Sequence, residues 1–171
     1  MVSTLGLSGL SPGNCLAMDW DYSAPCKSSS VDAGYSDSAR EWLGTFSPYT
    51  HHWNHSDEHK HVFLASLDHY ARDGKFCGIA LFRNSFGQPS IYAHVGQEWN
   101  GILNNPDLFA KVSAGLIWGY RDAYQNKIPF NHYGVAPAII PSVGVKISKT
   151  DSLEVFVLGN AGILFAYGHG F

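Results

Sequence analysis

Residues 108 to 120, LFAKVSAGLIWGY, alternate with a period of two: Leu108, Ala110, Val112, Ala114, Leu116, Trp118 and Tyr120 fall on one face of a strand, and Lys111, Ser113, Gly115 and Gly119 share the other with Phe109 and Ile117. Large apolar groups on one face and small or polar groups on the other suit a wall between lipid and a filled lumen. A half-buried soluble sheet gives the same alternation, so this strand alone does not decide. In AGILFAYGHGF the pattern returns, with Ile163, Phe165, Tyr167, His169 and Phe171 on one face.

A last strand of alternate aromatics ending in Phe resembles the C-terminal signature of bacterial outer-membrane barrels. From residue 44 onward the pattern divides into eight segments: 44–54, 61–72, 75–85, 89–99, 108–121, 129–140, 142–149 fused or turned into 151–159, and 161–171. Eight is the smallest common size for a membrane barrel, with an interior just wide enough for side chains or one ligand. The expected fold is all-β, an eight-stranded antiparallel outer-membrane β-barrel over residues 44–171.

Ahead of it, SDSAREWLGTF changes the period. Ser36 or Ser38 offers an N-cap, and Ala39, Trp42, Leu43 and Phe46 are spaced for one helical face, which predicts a short amphipathic N-terminal helix over 36–46. Such a helix suits a membrane interface or a plug in a core. Residues 1–35 hold an apolar, small-residue stretch followed by a Ser-, Asp- and Gly-rich one, and are expected to be a leader, the remnant of an export signal with a flexible segment.

Composition narrows the function classes. Charged residues make up 15% of the 171-residue chain against about 25% in ordinary soluble domains, while aromatics reach 14% and glycine numbers 18. The net charge of -3 leaves no basic footprint for nucleic acid. Cys15, Cys26 and Cys77 are too few and too irregular for a disulfide framework or a zinc site.

Two stretches carry chemistry. TFSPYTHHWNHSDEHKH packs His51, His52, His55, His59 and His61 into a short span. Imidazole is the commonest metal ligand, yet the stretch follows Pro48, offers no credible helix, and points adjacent His51 and His52 to opposite faces of a strand. No metal is expected. One of His51 and His52 reads instead as a single base at a barrel rim. In the second stretch, FRNSFGQPSIYAHVGQEW, a strand ends on Arg83, Asn84 and Ser85 and turns through Gly87, Gln88 and Pro89. Turn chemistry explains those residues. A base with nearby hydrogen-bond donors would also serve acyl transfer from an ester.

Residues 44–171 resemble the lipid A palmitoyltransferase family PagP, whose members place an amphipathic helix before an eight-stranded barrel. The likeness rests on FRNSFGQPSIYAHVGQEW, on VAPAIIPSVGV and on the final aromatic strand, in matching order. It implies an outer-membrane acyltransferase that moves a palmitoyl-type chain from a glycerophospholipid to a hydroxyl or hydroxyacyl group of lipid A. It also implies catalytic His52, with His51 as the fallback, as the base toward a lipid A hydroxyl, and catalytic Asn84 and Ser85 holding the developing oxyanion, or else a protein that has lost the activity. Asn84 stands where the family has Asp, and an amide can orient or donate but cannot raise the basicity of an imidazole as a carboxylate does.

Further implications follow from the resemblance. Pro137 and Pro141 match prolines that interrupt strand pairing and open the wall sideways. Gly96 matches the position that sets acyl-pocket depth; a twist or bulge is the plainer role for a glycine there. Arg83 is assigned a lipid phosphate, beside the plainer reading of a solvated hairpin charge. The partners implied are a phospholipid donor and a lipid A acceptor, for a monomer in the outer membrane with no cofactor. The rival expectation is a non-catalytic lipid-binding or structural β-barrel.

Overall fold

The computed structural model describes residues 41–54, 60 and 62–171. Eight strands, β1 (Trp42–His52), β2 (Leu64–Tyr70), β3 (Lys75–Arg83), β4 (Pro89–Asn100), β5 (Leu108–Trp118), β6 (Val135–Lys146), β7 (Asp151–Val157) and β8 (Gly162–Gly170), form one closed barrel. Each is antiparallel to its neighbour in sequence, and β8 closes on β1. This up-and-down order leaves no free sheet edge around most of the wall. The lower end carries Trp42, the β2–β3 turn and Phe171; the upper end carries His52, the β3–β4 hairpin and the long β5–β6 connection.

The faces follow the alternation in sequence. On β5, Phe109, Lys111, Ser113 and Ile117 are buried in the lumen while Val112, Leu116 and Trp118 are exposed on the outer wall. Trp42, Trp99, Tyr167 and Phe171 are exposed toward the lower end, and Tyr49, Trp53, Phe63 and Trp118 toward the upper. Between these aromatic positions lie Ile79, Leu81, Leu116 and Val143, also exposed. An apolar band flanked by aromatics is the outer surface that a bilayer requires of a barrel.

Two expectations are corrected. Residues 42–46, assigned to the end of a helix, are the first half of β1, with Leu43 and Thr45 buried and Trp42 and Phe46 exposed. The strand prevails because its backbone groups join two ladders, Trp42 to His69 on β2 and Phe46 to Tyr167 on β8. Residues 36–40 of the expected helix and the leader over 1–35 lie outside the described residues. The second correction concerns Pro141, where the pattern suggested a break. β6 instead runs unbroken from Val135 to Lys146, and the turn comes at 147–150. Pro141 is tolerated because β7 joins β6 only from the next residue: the ladder begins at Ser142↔Phe156 and ends at Lys146↔Ser152. Above Ser142 the β6–β7 seam has no ladder pairs. The β1–β2 ladder likewise stops at Ser47↔Leu64, level with the irregularity at Pro48.

Candidate active site

The irregularity in β1 decides which histidine enters the lumen. Register against β8 shifts between Phe46 and Tyr49, so Ser47 and Pro48 occupy a bulge. Ser47 is fully buried and its hydroxyl donates to the Phe165 carbonyl at 2.6 Å, fixing the bulge to β8. Below it the odd residues Leu43 and Thr45 point inward; above it the even residues Thr50 and His52 line the cavity. Inserting one residue reverses the alternation, which is how bulges re-aim a side chain. His51 is left on the outer face, exposed, with its ring edge-on to Trp53 at 5.9 Å.

Ser85 meets His52 from the β3–β4 hairpin, one strand removed from β1. Its Oγ lies 3.0 Å from Nε2 of His52. The hairpin carrying Ser85 is held by Asn84, which is 1% exposed. Oδ1 of Asn84 accepts from the backbone N–H of Phe86 and of Gln88, each at 3.0 Å, while its Nδ2 donates to Ser90 Oγ at 3.2 Å and faces the Gly119 carbonyl at 3.5 Å. These bonds make an Asx-type turn, with Gly87 at φ +80 completing it. Every polar atom of Asn84 is therefore engaged in the loop, and the expected placement of its amide on a reacting oxygen is not what the structure shows. Lys60 adds a tie, its N–H donating to the Ser85 carbonyl at 2.8 Å.

Below the Ser85–His52 contact lies a cavity of about 470 Å³. Leu64, Phe82, Tyr92, Ile117, Ile128 and Leu164 give it an apolar lining, with Tyr120 at its rim. Burial pushes the Tyr120 hydroxyl up to about 12, so it is a neutral donor at any ordinary pH. Pro137 and Ile139 also line the cavity although they stand on the outer face of β6, so the cavity reaches the outside through the unpaired β6–β7 seam. Pro141 does not line it; it marks the foot of that seam, beside Ser142.

Gly96 is a second departure from expectation, because it does not border this cavity. A Cβ at Gly96 would collide with the Phe76 ring and the Val112 carbonyl, so the glycine is required for Phe76 to fill the lower lumen. The floor is Tyr92. Its hydroxyl pairs with Ser113 Oγ at 3.1 Å and its ring stacks on His94 at 4.6 Å, and it borders both the large cavity and a smaller void of about 60 Å³ beneath. Sequence reasoning missed Tyr92; the signal was a bulky lumen-parity residue between Ser90 and His94 in SIYAHVG. Arg83 is exposed, beside Lys60, Phe63 and Pro89 at the upper rim, and does not line the cavity.

Lower still, the lumen is charged. Lys111 Nζ lies 2.9 Å from Glu154 and 3.7 Å from Glu98, with the Lys111 and Glu154 side chains 6% and 0% exposed. Ser142 donates to Glu154, and His94 contacts Asp68 at 2.8 Å. Buried charges satisfied by one another close the barrel below Tyr92. Among the described residues no group of three or more His, Cys, Asp or Glu side chains is placed to hold a metal ion. His55, His59 and His61 lie outside the described residues.

A chain from the solved structures titled "De novo design of transmembrane beta-barrels" is similar in fold, with a TM-score of 0.57 at 13% identity, over 77% of this chain and 97% of that one. The likeness shows the closed barrel architecture. No family model and no curated protein matches the chain.

Proposed function

We propose that this protein is an outer-membrane acyltransferase that moves a fatty-acyl chain from a glycerophospholipid to a hydroxyl or hydroxyacyl group of lipid A. The observation that carries this reading is the 3.0 Å contact between Ser85 Oγ and His52 Nε2 at the head of an apolar cavity. A hydroxyl within hydrogen-bond reach of an imidazole is the arrangement of a nucleophile and its base. An apolar cavity closed below receives a hydrocarbon tail, and the β6–β7 seam gives the tail a path from the side. The exposed apolar band with aromatics toward both ends supports a barrel embedded in a bilayer. The likeness to the lipid A palmitoyltransferase family supports the choice of donor and acceptor.

In the proposed sequence the donor tail occupies the cavity with its ester at Ser85. His52 takes the Ser85 proton as Oγ attacks the ester carbonyl; the carbon–oxygen bond to glycerol breaks, and the lysophospholipid leaves with that proton. His52 then takes the proton of the acceptor hydroxyl, which attacks the acyl-Ser85 ester and returns Ser85 to its hydroxyl form. Arg83, exposed at the upper rim beside Lys60, would bind a lipid phosphate rather than the chain. Asn84 holds the hairpin that presents Ser85.

The test is mass spectrometry of lipid A and phospholipids from a Gram-negative host that lacks its own lipid A palmitoyltransferase and expresses this chain behind a working signal peptide. We expect lipid A to gain one acyl chain and a lysophospholipid to appear. His52→Ala and Ser85→Ala should abolish the gain, and His51→Ala should keep it. No gain from a barrel shown to be folded in the outer membrane would leave the non-catalytic lipid-binding or structural barrel as the better reading.

A further inference from the structure

Acyl transfer needs a donor for the oxyanion that forms when the ester carbonyl is attacked. Asn84 cannot supply it while both ends of its amide serve the hairpin, and the Ser85 hydroxyl is directed at His52. Tyr92 spends its hydroxyl on Ser113. Thr50 is different. It lines the same cavity as His52, and its Oγ1 is shielded from solvent with no hydrogen-bond partner.

A buried hydroxyl without a partner destabilises the fold, and valine would fill the same volume in a strand at no such cost. Retaining the hydroxyl therefore calls for a use outside the folding of the barrel. Thr50 stands two residues before His52 on the lumen face of β1, ~7 Å along the strand and on the side of the cavity that receives the tail. Above the bulge, parity brings both side chains to the same wall.

We propose that Thr50 Oγ1 is the oxyanion donor: it hydrogen-bonds the donor's ester carbonyl oxygen, and that bond strengthens as the oxygen gains charge. The inference rests on the acyl-transfer reading above and adds a catalytic group to it. Thr50 takes no proton and forms no covalent bond; its hydroxyl, which has no partner among the described residues, would gain one in the ester carbonyl oxygen.

The experiment compares wild type, Thr50→Val and Thr50→Ser, each folded in vesicles containing phospholipid and lipid A, by initial rate and by thermal unfolding. Thr50→Val should lower kcat on the order of 10²- to 10³-fold, the effect of deleting one oxyanion donor, with KM for the phospholipid little changed. Its unfolding temperature should equal or exceed that of wild type, because an unpartnered hydroxyl has gone. Thr50→Ser should recover most of the rate. A wild-type rate in Thr50→Val overturns the proposal, and so does a marked fall in its unfolding temperature, which would reveal a structural partner. A wild-type barrel that is folded and transfers nothing overturns the acyl-transfer reading itself, and this inference with it.

Discussion

Tyr92 and Ser113 bring their hydroxyl oxygens within 3.1 Å of each other across β4 and β5, and that contact holds an aromatic ring between the apolar cavity and the charged layer beneath. On the proposed acyl-transfer reading, Tyr92 and not Gly96 should set the acyl-chain length. Tyr92→Ala should lengthen the preferred chain by on the order of two to four carbons, since a buried tyrosine occupies the area of several methylenes. Tyr92→Phe, which keeps the ring, should preserve the length. The chain transferred, or the fatty acid retained by the purified barrel, is identified by mass. An unchanged length in a folded Tyr92→Ala barrel would refute the assignment. Gly96→Met should disrupt folding rather than shorten the chain, because the added side chain meets Phe76 and backbone.

Asn84→Asp should weaken the barrel and should not raise activity. A carboxylate keeps the two bonds accepted from Phe86 and Gln88, but it cannot donate to Ser90 and it sets a negative charge toward the Gly119 carbonyl. The loss expected at a buried site is about 1–3 kcal/mol. Urea unfolding in vesicles measures it. Equal stability, or a gain in transfer rate, would show that Asn84 acts on the substrate after all.

Replacing Lys111 by Met should cost ~3–5 kcal/mol, since Glu154 then stays buried without its cation. Lys111→Met combined with Glu154→Leu should recover part of that loss, because the Glu154 charge is gone while Glu98, 3.7 Å from Lys111, still loses its cation. Denaturant titrations of the single and double variants separate the two cases. A single variant as stable as wild type would refute a stabilising role for the Lys111–Glu154 contact.

Asp73, in the β2–β3 turn, gives the lower end an acid dependence. Partial burial alone would raise its carboxyl, but the Lys75 ammonium at 2.8 Å and the Lys75 N–H at 3.2 Å outweigh it and hold the pKa below the ordinary value. A carboxyl lowered in the fold contributes stability above its unfolded pKa of about 3.9, and the contribution is lost as pH falls through the folded value. Asp73→Asn should lower the unfolding temperature slightly at neutral pH, where the charge contributes, and flatten its decline below pH 4. An identical acid profile in the variant would assign that decline to other carboxyls.

The barrel was legible in the chain because each wall strand must alternate, and β5 shows it without exception: Lys111 and Ser113 inward, Val112 and Leu116 outward. Ala39, Trp42, Leu43 and Phe46 misled because helical spacing places them together, whereas in a strand Trp42 and Leu43 part to opposite faces. The choice between His51 and His52 was beyond alternation. Counting by twos from Leu43 points His51 inward, and only the bulge at Ser47 and Pro48, formed against a strand more than a hundred residues later, brings His52 in. Asn84 was half legible: its turn role was visible in the local sequence, but which groups its amide would meet depended on Gly119, at the end of the neighbouring β5.

The layer of Lys111 and Glu154 seals the lumen lengthwise, while the gap above Ser142 leaves it open at the flank. Such a barrel is a cul-de-sac with a side door, and in a planar bilayer it should pass no ionic current. On the proposed reading, a tail that enters by this flank would back out the same way, so a departing tail and the next arrival would compete there. Crowding at that doorway, and not the length of the barrel, would then limit how quickly the cavity is emptied and refilled.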